Sequence, residues 1–239
     1  MLFSHTYIQV SRQFGATQKK IEKMKNKFII ILLIVSFNYS FSQEKIIKTK
    51  GVEIIKADNT KSGKIESGIY SCNIFDWNIK IPENYKITEI KEIQQLEEKG
   101  NKEIKKNIPK NTFIEKRIHL IAFNLDSKNT FSAGLNAIDK TKKITLEEHK
   151  KTTTELLKNS FSKIENARFE FKVSDIKIGK YKFYKIKVDA YNKTNNQFVL
   201  TQIYYNCFVK DYLFGVLINY NNVIEGKILE ENFLYSMEK

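Results

Sequence analysis

Glycine never clusters in this chain. Its nine glycines stand singly, Gly100, Gly134, Gly179 and Gly215 among them, so there is no glycine-rich loop to cradle a phosphate and no Gly-x-Ser-x-Gly turn to expose a nucleophile. Histidine is scarce as well: beyond the N-terminal segment only His119 and His149 occur, and neither has Cys or carboxylate neighbours at metal-ligand spacing. Arginine is nearly missing. Arg117 and Arg168 are the only two after residue 42, which argues against a nucleic-acid partner, because such proteins use the bidentate guanidinium for phosphate and base contacts. No catalytic residue, cofactor or metal ligand is assigned.

What the chain does have begins at Met24. The run MKNKFIIILLIVSFNYSFSQ places Lys25 and Lys27 before an apolar stretch from Phe28 to Phe37, followed by Ser40-Phe41-Ser42 with small residues where a signal peptidase reads. Cleavage after Ser42 is expected, leaving Gln43 first. The apolar run dilutes at Asn38 and Tyr39, short of the roughly 20 apolar residues of a spanning helix, so no stable membrane span is expected after cleavage. Neither cysteine stands where a lipid-anchored mature terminus needs one. Residues 1–23 fit no ordinary signal; the expected true start is Met24, and if translation begins at Met1 they form a long n-region. The expected compartment is outside the cytoplasm, periplasmic or extracellular.

The chain carries 41 Lys+Arg against 27 Asp+Glu, a net charge of +14. Nearly all of the surplus is lysine in a background rich in Ile and Asn, as an A+T-rich coding sequence produces, and no basic amphipathic helix concentrates it for a membrane surface. After removal of the signal the length suits one domain: a polar, loosely ordered leader over 43–68, then a single domain over 69–239.

Along that domain the apolar period alternates between two and 3.6. Tyr70, Cys72 and Ile74 share one face of a first strand, and Trp77, Ile79 and Ile81 share a face of a second that Pro82 ends. Ile87, Ile90, Ile93 and Leu96 predict a helix that Gly100 ends, with Ile104 and Ile108 continuing before Pro109. Residues 113–125 are apolar on both faces around Ile118 to Phe123, which predicts a central strand, with residues 131–138 as antiparallel partner. Thr145 and Glu148 form a capping box opening a helix with Leu146, Thr153, Leu156, Leu157, Phe161 and Ile164 inward. Phe169, Phe171 and Val173 alternate next. Residues 181–191, 198–209 and 212–220 predict a meander, and a last helix over 224–237 has Ile224, Ile228, Leu229, Phe233 and Met237 inward.

Two phrases carry a resemblance. Phe75-Asp76-Trp77-Asn78-Ile79-Lys80-Ile81-Pro82-Glu83-Asn84-Tyr85 and the glycine turn Ile178-Gly179-Lys180-Tyr181-Lys182-Phe183, together with the element order, resemble the PsbP/DcrB-like superfamily. That resemblance implies an α+β fold, an antiparallel β-sheet flanked by helices in an α/β/α sandwich. It also implies binding or assembly roles, and it supplies no catalytic residue. A cystatin- or NTF2-like sheet wrapped on a helix is the alternative. The expected function is a non-catalytic binding or assembly module of the cell envelope, its partner an unknown envelope protein or ligand; the alternative is an envelope enzyme or small-ligand carrier.

For individual residues the expectations are structural. His119 is a core histidine and His149 a boundary residue on its helix. Glu97-Glu98, Glu147-Glu148 and Glu230-Glu231 are solvated faces, since adjacent helical residues point about 100° apart. Lys180 to Lys185 interleaves cations and aromatics through strand alternation alone. Trp77 is a core anchor, and Cys72 and Cys207 are two separate buried thiols in a domain with core enough to need no staple.

Overall fold

The computed structural model describes residues 62–89, 91–93, 95, 117–138 and 144–238. The signal segment, most of the leader, and Ile90, Leu96, Gly100, Ile104, Ile108 and Pro109 of the expected first helix lie outside the described residues.

Two antiparallel sheets are present among them. Strands β1 (Gly63–Glu66), β2 (Ile69–Cys72) and β3 (Asn78–Lys80) form a small sheet in the order β1-β2-β3. Strand alternation places it: Trp77, Ile79 and Ile81 are buried while Asn78 and Lys80 between them are exposed. Strand β1 lies inside the stretch 43–68 expected to be a loose leader, so ordered structure begins earlier than residue 69.

Among the described residues the large sheet has seven strands. Strands β4 (Lys86–Ile87), β5 (Ile118–Asn124), β6 (Thr130–Ala137), β7 (Ala167–Ile178), β8 (Tyr181–Asn192), β9 (Phe198–Val209) and β10 (Tyr212–Tyr220) take the order β4-β5-β6-β10-β9-β8-β7. The meander therefore runs to four strands, β7 to β10, each joined to the next by a tight turn. Ile87 belongs to β4, paired with Phe123 and exposed, instead of opening a helix. Strand β5 is buried on both faces, paired with β6 along one edge and, among the described residues, with the two residues of β4 along the other.

Helix α1 (Leu146–Phe161) starts where the capping box predicts. Thr145 Oγ1 accepts from the backbone N–H of Glu148 at 3.1 Å, and the Glu148 carboxylate accepts from the Thr145 N–H at 2.8 Å. Its inward arc is His149, Thr153, Leu157 and Phe161, spaced by four. Leu146, Leu156 and Ile164 are only half-buried, and the helix stops before Ile164.

The large sheet separates two cores. On one face Leu157 and Phe161 of α1 pack on Tyr184, Ile186, Val188, Leu200, Tyr204 and Leu217. On the other, helix α2 (Val223–Ser236) and the small sheet together cover Phe183, Ile203, Tyr205, Cys207, Phe214 and Ile218. Both faces of β8, β9 and β10 are thus buried, unlike a sheet wrapped on a single helix. Helices flank the sheet only in part, because β1 to β3 share one of its faces with α2.

Helix α2 turns a different side inward from the one its isoleucines suggest. Gly226, Leu229, Phe233 and the capping Met237 are buried, whereas Ile224 is 69% and Ile228 41% exposed. The reason is Gly226: a Cβ there would lie 2.6 Å from the Tyr220 ring. Only the bare backbone lets the helix lie so close, and that contact fixes its rotation.

Candidate functional site

A row of residues crosses six strands of the large sheet on the α1 side. Register aligns His119 of β5 with Gly134 of β6, Gly134 with Gly215 of β10, Gly215 with Asn206 of β9, Asn206 with Tyr184 of β8, and Tyr184 with Asp175 of β7. The two glycines leave a gap in the side-chain carpet, and Arg117 fills it. Arg117 Nη2 donates to the Gly215 carbonyl at 2.9 Å, and a Cβ on Gly134 would stand 2.1 Å from Arg117 Nε.

Helix α1 closes the other end of this row. His149 Nδ1 lies 2.7 Å from the Tyr184 hydroxyl, which donates to Thr153 Oγ1 at 3.3 Å. Burial raises the Tyr184 phenol well above its ordinary pKa. His149 is only 7% exposed, so it belongs to the core and not to the boundary. Next to it Lys150 bridges to Asp175 at 2.9 Å and to Glu147, which ties the first turn of α1 to β7. His119 is buried as expected, with its carbonyl accepting from Ser62 Oγ at 3.2 Å.

A second polar chain lies beside the row. Tyr204 OH donates to Gln202 Oε1 at 3.0 Å, Gln202 Nε2 to Asn219 Oδ1 at 2.7 Å, and Asn219 Nδ2 to Thr130 Oγ1 at 2.8 Å. The strand periods alone do not single these amides out. Polar residues two apart in a strand look solvent-facing unless one knows that the sheet is covered on both sides. Enclosed and hydrogen-bonded, row and chain hold four strands and a helix in register, a structural use of polar groups.

The remaining named residues are accounted for similarly. Glu230 is not on a solvated face: Lys185 Nζ and the Tyr205 hydroxyl both donate to its carboxylate, which is about a quarter exposed. Burial first, and the Glu230 carboxylate second, push the Tyr205 phenol up. Within Lys180 to Lys185, Phe183 and Tyr184 are buried on opposite faces of β8, as strand alternation dictates. Cys72 and Cys207 are both free, Cys207 buried and Cys72 half-buried at the margin of the same core. Among the described residues no group of three His, Cys, Asp or Glu side chains gathers as a metal site would require, and no helix is long and apolar enough to cross a membrane. A shallow cleft of about 220 Å³ lies between the small sheet and β5, lined by Ser62, Ile65, Tyr70, Ile87 and the strand from His119 to Ala122.

The outward side of α2 exposes large apolar side chains. Ile224, Ile228 and Tyr235, the last 66% exposed, fall within about 40° of arc at 100° per residue and run for about 16 Å along the axis, with exposed Glu231, bridged to Lys227 at 3.7 Å, between Ile228 and Tyr235. Hydrogen bonds fix where this stripe begins. Tyr85 OH donates to Glu225 at 2.7 Å, and Asn129 and Asn221 exchange bonds of 3.0 and 3.2 Å, so β4 and the turn after β5 adjoin the start of α2.

The turn is itself held by Asp126, whose carboxylate accepts from the N–H groups of Lys128 and Asn129 and from the Asn129 side chain at 2.7 to 2.9 Å. Burial opposes ionisation, but these hydrogen bonds outweigh it and hold the carboxyl below its ordinary pKa. A depressed carboxyl contributes stability that is present above its unfolded pKa and lost as pH falls through the folded one. Asp126→Asn should therefore destabilise the protein at neutral pH, and the difference from wild type should shrink below about pH 4. Urea unfolding at several pH values measures this; a difference constant with pH would contradict it.

Fold and surface together define a sheet-rich α/β protein with enclosed polar networks and exposed apolar side chains on the outward side of α2. No protein-family model matches the chain, and no curated protein does. Among solved structures it is similar to the solution structure of cyanobacterial PsbP (CyanoP) from Synechocystis sp. PCC 6803, with a TM-score of 0.45 and 9% identity over 80% of this chain and 96% of that one.

Proposed function

We propose that this protein is an exported, non-catalytic binding or assembly module of the cell envelope, built as a PsbP-like α/β/α sandwich, and that it docks a protein partner on the outward face of α2. The observation that carries the reading is the stripe Ile224, Ile228 and Tyr235, with Val223 beside it at 73% exposure. Isolated surface apolar residues need no explanation, but several aligned on one rigid helix offer the apolar anchors of a protein interface. The signal pattern from Met24 to Gln43 supports the compartment. The phrase from Phe75 to Tyr85, now seen as the aromatic joint between small sheet and α2, supports the architecture.

Purification of the tagged protein from envelope extracts of its native host tests the reading. Wild type should retain a defined protein partner and start at or near Gln43. The pair Ile224→Asp and Ile228→Asp should cut that retention at least about tenfold while leaving thermal unfolding unchanged, because both side chains already face water. Equal retention by the variant, or a form that keeps Met24 and stays in the cytoplasm, would refute it.

A further inference from the structure

The opposite end of the large sheet is formed by β7, and there the chain matches itself. Strand β7 pairs with β8 along all 12 of its residues without a bulge, and among the described residues nothing pairs with its outer edge. Lys172, Val173, Ser174 and Asp175 are all exposed. A long, regular, open edge is a template for another strand, which proteins ordinarily guard with charged side chains, a bulge, a proline or a cover. Among the described residues this edge carries charges but no bulge, proline or cover.

Its charges are also mismatched inside the chain. Glu170 lies directly opposite Asp189, and Lys172 directly opposite Lys187, the like-charge placement that weakens a strand pair. Asp189 and Lys187 neutralise each other at 3.0 Å, and Glu170 takes Arg168. Lys172 has no ion-pair partner among the described residues.

We propose that two copies of this chain associate through β7, antiparallel about a two-fold axis at Phe171, so that the two large sheets become one. An isologous antiparallel pair must place some residue opposite itself, because paired residues share a face and the axis preserves that face. With Phe171 in that place, Glu170 meets Lys172 of the second copy twice, Phe169 meets Val173 twice, and Arg168 meets Ser174. Apolar rows then lie on the α1 side and oppositely charged rows on the other. Moving the axis by one residue sets Lys172 or Glu170 against itself. Moving it two residues towards Ile178 sets Phe171 against Asp175, and two the other way leaves only five residues paired.

Helix α1 leaves room for this. Its buried residues rest on Tyr184, Ile186 and Val188 of β8 and on strands beyond it, with Phe169 and Phe171 at the margin. Centred over β8, the two copies of α1 would stand three strand spacings apart, about 14 Å, against the 8 to 10 Å that packed helices need.

Charge exchange provides the test, read by sedimentation equilibrium on the full chain across the micromolar to millimolar range. Wild type should approach twice the monomer mass. Glu170→Lys and Lys172→Glu alone should each weaken association at least about tenfold, since both charged rows become repulsive. Neither should harm folding, because each places an opposite charge across from Asp189 or Lys187, and circular dichroism would confirm it. An equimolar mixture of the two single variants should associate again, and so should the double variant, since every row regains opposite charges. A monomeric wild type, single variants that associate as wild type does, or a mixture that stays monomeric would each overturn the proposal. The α2 surface is untouched by these changes, so the result is independent of partner docking there.

Discussion

Trp77→Ala is expected to lower the free energy of unfolding by about 3 to 5 kcal/mol, the range for deleting a large buried aromatic. The indole is 2% exposed and stands in a cluster with Phe75 at 6.0 Å, Phe214 at 5.0 Å and Tyr70 at 5.8 Å between ring centroids. Its Nε1–H donates to Ser236 Oγ at 2.9 Å, so the substitution opens a cavity and removes one tie between the small sheet and the end of α2. Urea unfolding followed by far-UV circular dichroism is the measurement, since Trp77 is the chain's one tryptophan and the variant loses that fluorescence. In wild type the same indole should emit at short wavelength and resist iodide quenching. A loss below about 1 kcal/mol would mean that the joint is not packed as described.

Gly179→Val should cost about 2 to 4 kcal/mol, from two sources that act together. The turn between β7 and β8 holds Gly179 at φ +54°, and a Cβ there would stand 2.2 Å from the Met237 carbonyl oxygen. A β-branched residue is strained in the left-handed region whatever the space around it. Here the space is also taken, and by backbone. The C-terminal end of α2 would have to lift from the turn, and hydrogen exchange in α2 should rise more than in α1. If the cost matched that of a Val placed in an open turn, the contact with Met237 would be absent.

Strand and helix periods were legible where one face is polar. Trp77 to Pro82 gave its strand and burial directly, and three strands of the meander were readable because the turns Asn192 to Asn196 and Lys210-Asp211 interrupt long alternations. Thr145 and Glu148 announced the start of α1, since capping is a local interaction between residues three apart. What failed depends on contacts far away in sequence. The rotation of α2 is set by Gly226 against Tyr220, and no helical wheel counts a missing side chain as the inward mark. His149 looked marginal on its own helix and is buried by Tyr184 of β8. Nothing in the strand periods marks Gln202, Asn206 and Asn219 as enclosed, because alternation tells which residues share a face, not whether that face is covered. Gly134 and Gly215 stood as single glycines, and only the register that sets them opposite each other makes a seat for Arg117.

The joint between the small sheet and α2 also sets the order in which the molecule can assemble. Trp77 bonds to Ser236 across 159 residues, Lys80 to Asn232 across 152, and Tyr85 to Glu225 across 140. Each closes a loop that spans most of the domain, so its entropy cost comes before any packing repays it. Such a topology folds slowly for its size, on the scale of milliseconds to seconds. A nascent chain cannot seal this core while its last fourteen helical residues are still unmade. Until then Trp77, Phe214 and Phe183 have no lid, and the emerging polypeptide stays in the open, apolar state that chaperones bind.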